Sequence, residues 1–200
     1  SSIQVSYEPN LPSLTNTEVS IGYAGMMGGV YDNIVIAAGG ANFPNGMPWD
    51  GGQKVWYNSI YCLENGSWTL SQQSLPMPLA YGASVSTEKG VLLIGGNTKE
   101  RVSDEVFFLS FNSTKQEIEL ESFPSLPEPL AHTNAVFADG YVYVAGGLNT
   151  TSSTNSFYRL HLENKGPWEK LQDFPGEPRA VHSMAVQETS TSKRIFIIGG

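Results

Sequence analysis

The 200-residue chain contains a single cysteine, Cys62, and three histidines. One thiol excludes an internal disulfide and reads as a buried apolar group. Three scattered histidines and one cysteine give no metal-ligand spacing, so no metal centre is expected. Basic residues are also scarce: 11 Lys and Arg against 19 Asp and Glu leave a formal net charge of −8. No local Lys/Arg cluster offsets that sign, which argues against nucleic acid as a partner. No apolar run reaches the length of a membrane-spanning helix, and no window sustains a helical period. The chain has no phosphate-cradling GxxxxGK[ST], no GxSxG elbow and no catalytic triad pattern. No signal peptide is visible and the first residue is not Met, so a removed leader is an expectation. N-x-S/T triplets begin at Asn65, Asn112 and Asn149, a frequency that a Ser- and Thr-rich chain reaches by chance.

What the chain does have is glycine in pairs. "NIVIAAGG" ends at Gly40, "GVLLIGG" at Gly96, "YVYVAGG" at Gly147 and "RIFIIGG" at Gly200, with spacings of 56, 51 and 53 residues. That period falls in the range of kelch blades. Each of the first three pairs is followed by a variable loop and a strand: "YNSIYCLE", "SDEVFFLS", "TNSFYRLHL". A further strand with a proline-rich exit comes next, and then "YGASVS", "HTNAVFA" or "HSMAVQ" leads into the following diglycine strand. The unit is four short strands joined by turn chemistry.

A four-stranded antiparallel blade is apolar on both faces and must be sandwiched by neighbours around an axis. The aliphatic, β-branched run before each diglycine suits a strand buried on both sides. The glycines mark a turn with no room for a Cβ, at positive φ. An ordinary β-sandwich with glycine turns is the bland alternative, and four diglycine strands in register argue against it. The fold class is therefore all-β, a kelch-type propeller. Residues 1–20 read as a closing fourth strand, 21–80, 81–130 and 131–180 as blades, and 181–200 as the start of another. Propellers have four to eight blades, so the 200 residues read as roughly half of a larger propeller.

In such a blade the loop after strand two and the approach to strand one open on the same face, beside the axial channel. The strand-two loops offer Asn42, Phe43, Lys54 and Trp56, then Asn97, Lys99, Glu100 and Arg101, then Asn149. The strand-one approaches offer Tyr81, His132, Arg179 and His182, with His132 and His182 read as matching repeat positions and Tyr81 as the same place in another blade. Each has a plainer reading. A histidine there can bond a neighbouring blade's backbone, Arg179 can cap its loop through an ion pair, and Asn97 and Asn149 can serve left-handed turns. Trp49 and Trp56 read as loop packing or as a sugar platform, and Trp68 and Trp168 as inter-blade core.

The stretch "AGMMGGVYDNIVIAAGGANFPNGMPWDGGQKVWYNSIYCLE", continuing through "LAYGASVSTEKGVLLIGG", resembles the bacterial N-acetylneuraminate epimerases, the sialic acid mutarotases, and most of all their cyclically permuted branch. The resemblance is strongest over residues 21–100 and is generic kelch elsewhere. It implies a six-bladed propeller, a periplasmic setting and interconversion of the α and β anomers of a sugar acid without a cofactor. It makes the long loop an insertion over the channel mouth, with Asn42 and Lys54 as substrate contacts. The family's Glu and Arg lie in a Gly-Glu-x-x-x-Gly-x-Arg type motif that has no match in these 200 residues and is expected beyond Gly200.

Mutarotation needs only general acid and base groups and a clamp for the sugar carboxylate. Arg101, His132 and His182 are the candidate catalytic residues. Asn42, Lys54, Tyr81 and Arg179 are the candidate substrate contacts. The expected partner is a small sugar acid, with neither nucleic acid nor a membrane span, and a homodimer is a further expectation. The competing class is a non-catalytic kelch propeller that presents its loops to protein or carbohydrate.

Overall fold

The computed structural model describes residue 5, residues 7–14 and residues 20–200. In the first sheet β1 (Met27–Tyr31) and β2 (Ile34–Ala38) form the inner hairpin. The loop that follows carries a short ladder, β3 (Ala41–Asn42) against β4 (Val55–Trp56), and a single 3-10 turn at Pro48–Asp50. Strands β5 (Ser59–Glu64) and β6 (Ser67–Ser74) then complete the sheet in the order β1-β2-β5-β6. The second sheet runs β7 (Ala83–Thr87), β8 (Gly90–Ile94), β9 (Val106–Asn112) and β10 (Glu117–Phe123). The third runs β11 (Asn134–Ala138), β12 (Tyr141–Ala145), β13 (Phe157–His161) and β14 (Glu169–Lys170). A last antiparallel pair, β15 (Ser183–Glu188) and β16 (Lys193–Ile198), follows. The first strands β1, β7, β11 and β15 touch one another in succession, which is the radial order of propeller blades.

Strand β8 shows why an unbroken apolar run is needed. All five of its residues are buried. Val91 and Leu93 point into the core shared with the first sheet, alongside Met27, Ile36 and Ile60. Leu92 and Ile94 point into the core shared with the third, alongside Val142, Val144 and Leu160. The period-two alternation of a strand sends successive side chains to opposite faces, and here both faces are dry. Each such aliphatic contributes about 1.5–3 kcal/mol by leaving water.

The diglycines have a common cause. Gly39, Gly95 and Gly146 all adopt left-handed backbone, with φ of 67°, 62° and 60°. In each case the connection to the next blade crosses directly over the pair. Its carbonyl, from Leu79, Leu130 or Arg179, accepts the N–H of Gly40, Gly96 or Gly147 at 2.8, 2.8 and 2.9 Å. A Cβ on Gly39 or Gly95 would lie 2.1 or 2.2 Å from that carbonyl oxygen. The pair is thus where one blade is hydrogen-bonded to the next.

The outer rim repeats a second contact. Trp168 is buried and donates its indole N–H to the Pro124 carbonyl at 2.8 Å, and Trp68 donates to the Pro9 carbonyl at 2.9 Å. Pro9-Asn10-Leu11-Pro12 and Pro124-Ser125-Leu126-Pro127 share a pattern, so Pro9 meets the first sheet as Pro124 meets the third. The closing strand expected over 1–20 falls in part outside the described residues. Cys62 is buried, and desolvation pushes its thiol up to about 11, so it stays protonated and inert.

Candidate functional site

The approach to each first strand is tied to the loop after the second strand of the same blade. Ala24 and Ala41 exchange both backbone hydrogen bonds, as do Ala80 with Asn97 and Ala131 with Leu148. This fixes both sets of loops on one end of the blades. At that end the approaches are linked to each other by a chain of backbone hydrogen bonds. Tyr81 N–H donates to Gly25 O at 2.8 Å, His132 N–H to Tyr81 O at 2.7 Å, and Val181 N–H to His132 O at 2.9 Å.

That chain corrects the register of the histidines. The residues that share one place are Tyr81, His132 and Val181, all left-handed, with φ of 62°, 52° and 56°. His182 is one residue further on, level with Thr133 and Gly82. A pairing of His132 with His182 follows only if "RAVHSM" is aligned on its histidine. Aligning Leu79-Ala80, Leu130-Ala131 and Arg179-Ala180 instead puts Val181 in the column.

Three of the sequence-predicted residues come together in a row. The Lys54 ammonium sits 4.2 Å from the centre of the Tyr81 ring and 5.1 Å from that of Trp56. The other neighbour of Tyr81 is the His132 imidazole, with ring centres 4.9 Å apart. Such a cation–π contact contributes about 0.5–2 kcal/mol and fixes the position of the charge. Among the described residues no carboxylate pairs with Lys54. Burial, and then the Lys54 charge, hold His132 below the ordinary imidazole value. At neutral pH the row is therefore a cation, an aromatic face and a neutral imidazole.

Two clefts meet at Lys54. One, of about 580 Å³, is walled by Tyr23, Asn42, Phe43, Met47 and Tyr81. The other, of about 510 Å³, is walled by Trp56, Met77, Lys99 and Arg101. Asn42 in the first is a strut: its amide donates to Gly22 O at 2.8 Å and accepts from the Tyr57 hydroxyl at 2.9 Å. Those bonds hold the long loop against the blade and leave one amide hydrogen and one lone pair for the cleft. Arg101 in the second is exposed and lies 3.4 Å from both Asp104 and Glu105. Its charge is shared with two carboxylates, and no described contact brings it to His132.

Arg179 and His182 belong to a different junction, between the third sheet and the β15–β16 pair. Arg179 donates to the carbonyls of Glu177 and Gly199 at 3.3 and 3.2 Å and lies over the Phe174 ring. Arg179 thus holds its loop through backbone carbonyls, and not through the expected ion pair, of which there is none among the described residues. His182 is 5% exposed, packs on Gly146 with the Ala145 backbone beside its ring, and among the described residues neither ring nitrogen has a partner at good hydrogen-bond geometry.

Burial lowers the His182 pKa below its ordinary value. A depressed histidine takes up its proton more readily in the unfolded chain. Its contribution is therefore complete above about pH 6.5 and is lost as pH falls towards the folded value. The melting temperature should drop between pH 7 and 5, and His182→Leu should flatten that drop. Equal pH slopes for the two proteins in thermal melts would remove His182 from this role.

The asparagines divide. Asn97 accepts the Trp56 indole N–H at 3.2 Å and so braces the cation site, whereas Asn149 caps the backbone of Thr151 and Ser152. Trp56 is thus a packed wall, whereas Trp49 at the tip of the loop is 79% exposed. Among the described residues no group of His, Cys, Asp and Glu could hold a metal ion, and no helix is long and apolar enough to cross a membrane.

Comparison with known proteins fits this geometry. Residues 2–118 match the family model described as N-acetylneuraminate epimerase, and residues 129–175 match the kelch motif. The N-acetylneuraminate epimerase of Vibrio cholerae is 35% identical over 118 residues, 54% of this chain and 30% of that protein. That of Yersinia enterocolitica is 35% identical over 121 residues, 56% of this chain and 31% of that protein. One from Haemophilus influenzae is 37% identical over 99 residues, 45% of this chain and 26% of that protein. The matched stretch thus spans about three tenths of the length of these relatives. Since the family model covers more than half of the chain, the chain belongs to the N-acetylneuraminate epimerase family and carries its kelch-repeat fold.

Proposed function

We propose that the chain forms part of a mutarotase that equilibrates the α and β anomers of N-acetylneuraminate. The observation that carries this reading is the Lys54–Tyr81–His132 row: a cation with no carboxylate partner among the described residues, fixed on aromatic faces beside a neutral imidazole. In an acidic protein such a cation suits an anionic ligand, and a sugar carboxylate is the anion its ammonium would hold as a point charge.

The chemistry then needs two proton transfers. A base takes the proton from the anomeric hydroxyl as the bond from the anomeric carbon to the ring oxygen breaks, and an acid protonates that ring oxygen. The product is the open-chain 2-keto acid. The hydroxyl formed from the ring oxygen then adds to the other face of the carbonyl, with the protons returning in reverse order. His132, kept neutral by burial, is suited to the base position, since its pKa lies near or below working pH. Lys54 would hold the carboxylate, and Tyr81 would form the floor between the two. Arg101 serves as a second, outer cation across the neighbouring cleft. A periplasmic setting is part of the same proposal.

NMR of freshly released α-N-acetylneuraminate tests the reading. The protein should bring the anomers to equilibrium faster than buffer, at a rate proportional to its concentration. An unchanged rate would overturn the assignment.

A further inference from the structure

The two clefts that meet at Lys54 are of nearly equal size, about 580 and about 510 Å³. Each is large enough for a sugar-sized ligand. The reaction proposed above occupies only the inner one, yet the outer one is built from the same kinds of part. Its apolar wall is Trp56, fixed by the bond from its indole N–H to Asn97 at 3.2 Å, and Met77 continues that wall. Lys54, Lys99 and Arg101 bring three cations to it. Among the described residues neither Lys54 nor Lys99 has an ion-pair partner, and Arg101 lies 3.4 Å from each of its two carboxylates. The one carboxylate in the lining, Glu100, is turned back on its own loop, where it accepts the Thr98 hydroxyl at 3.2 Å. Thr98 in turn accepts the N–H groups of Glu100 and Arg101 at 3.0 and 3.1 Å, which sets the turn that presents Lys99 and Arg101. The cleft sits at a junction with both sides in place. The two flanking sheets have four strands each, and Gly40 N–H to Leu79 O and Tyr81 N–H to Gly25 O join them. In a chain of net charge −8, cations gathered in one cleft give a local field that favours an anion.

We infer that the outer cleft is a second sugar subsite, and that the substrate class extends to acidic disaccharides whose reducing unit lies in the inner cleft. This rests on the mutarotase reading above. The reducing unit must be the one beside His132, because only its anomeric hydroxyl is free. The anomeric carbon of the other unit is locked in the glycosidic bond. Lys54, common to both clefts, holds the first carboxylate, and Lys99 and Arg101 take the second. The electron-rich face of Trp56 lies against the C–H groups of the second ring.

The probe is the disaccharide in which a second N-acetylneuraminate is joined through its anomeric carbon to the exocyclic chain of the first. Anomer exchange at its reducing end, followed by NMR, should show a KM about five- to twentyfold below that of the monosaccharide, as several solvent-screened charge pairs together supply. The same disaccharide with its outer carboxylate reduced to an alcohol should lose that advantage. Lys99→Gln should shrink the KM ratio of the two sugars about two- to fivefold at an unchanged melting temperature, since Lys99 is exposed. If the protein speeds exchange of the monosaccharide and the disaccharide has no KM advantage, or one indifferent to Lys99 and to the outer carboxylate, the second subsite is wrong and the mutarotase reading stands. If saturation-transfer NMR shows Lys99-dependent binding of the disaccharide and neither sugar exchanges faster than in buffer, the subsite stands and the catalytic reading falls. Neither binding nor exchange removes both.

Discussion

Replacing Gly95 with alanine should lower the stability of the protein by about 3–5 kcal/mol, a very large effect for a single methyl group. Gly95 has φ of 62°, and an L-residue there is strained by about 1–2 kcal/mol. The added Cβ would also lie 2.2 Å from the Leu130 carbonyl oxygen, so that connection must lift off the blade. The same oxygen accepts the Gly96 N–H at 2.8 Å, and leaving buried groups unpaired costs about a further 1–3 kcal/mol. Gly66→Ala is the control. It too is left-handed, at φ of 74°, but its Cβ would meet nothing within 4 Å, so only the strain remains. Urea titrations of the two variants should differ by about 1–3 kcal/mol at equal m-value. Similar losses would show that conformation alone, and not the crossing carbonyl, requires the glycine.

Lys54→Met should reduce kcat/KM for anomer exchange about 10- to 100-fold, mostly through KM, because the carboxylate loses its counter-charge while the imidazole stays in place. A second readout separates electrostatics from disorder of the loop. The Lys54 charge helps to hold His132 below its ordinary value, so removing it should move the His132 titration upward. Imidazole proton shifts followed through pH would show this directly. A variant with normal KM and an unmoved His132 titration would separate Lys54 from both roles. Arg101→Met should act more weakly, since its guanidinium already has Asp104 and Glu105 beside it.

The sequence was read correctly where one local pattern has one physical cause. The diglycines at Gly40, Gly96 and Gly147 follow apolar runs at a blade-length period, and all three runs are strands, β8 buried throughout and β2 and β12 alternating buried with half-buried residues. The propeller, the antiparallel order and the glycine turns follow from that. Cys62 lies in β5, and its burial was legible from the apolar character of a lone thiol. The long loop was read as an insertion through the family resemblance, and in the structure it carries its own short ladder, β3 against β4.

What escaped was register by one residue and the direction of side chains. His132 and His182 stand in similar strings, yet a single step along a strand reverses the side chain, so one joins Tyr81 and the other is buried against Gly146. Asn42 and Lys54 looked alike as polar loop residues. Only the folded loop decides that Asn42 spends its amide on Gly22 and Tyr57 while Lys54 lies over the Tyr81 and Trp56 rings. By itself, then, the sequence determined the repeat, the fold class and the end of the blades at which polar groups gather. The tertiary structure decided which of those groups meet, because contacts between Lys54, Tyr81 and His132 span more than seventy residues of chain and depend on blade-to-blade hydrogen bonds that no local pattern encodes.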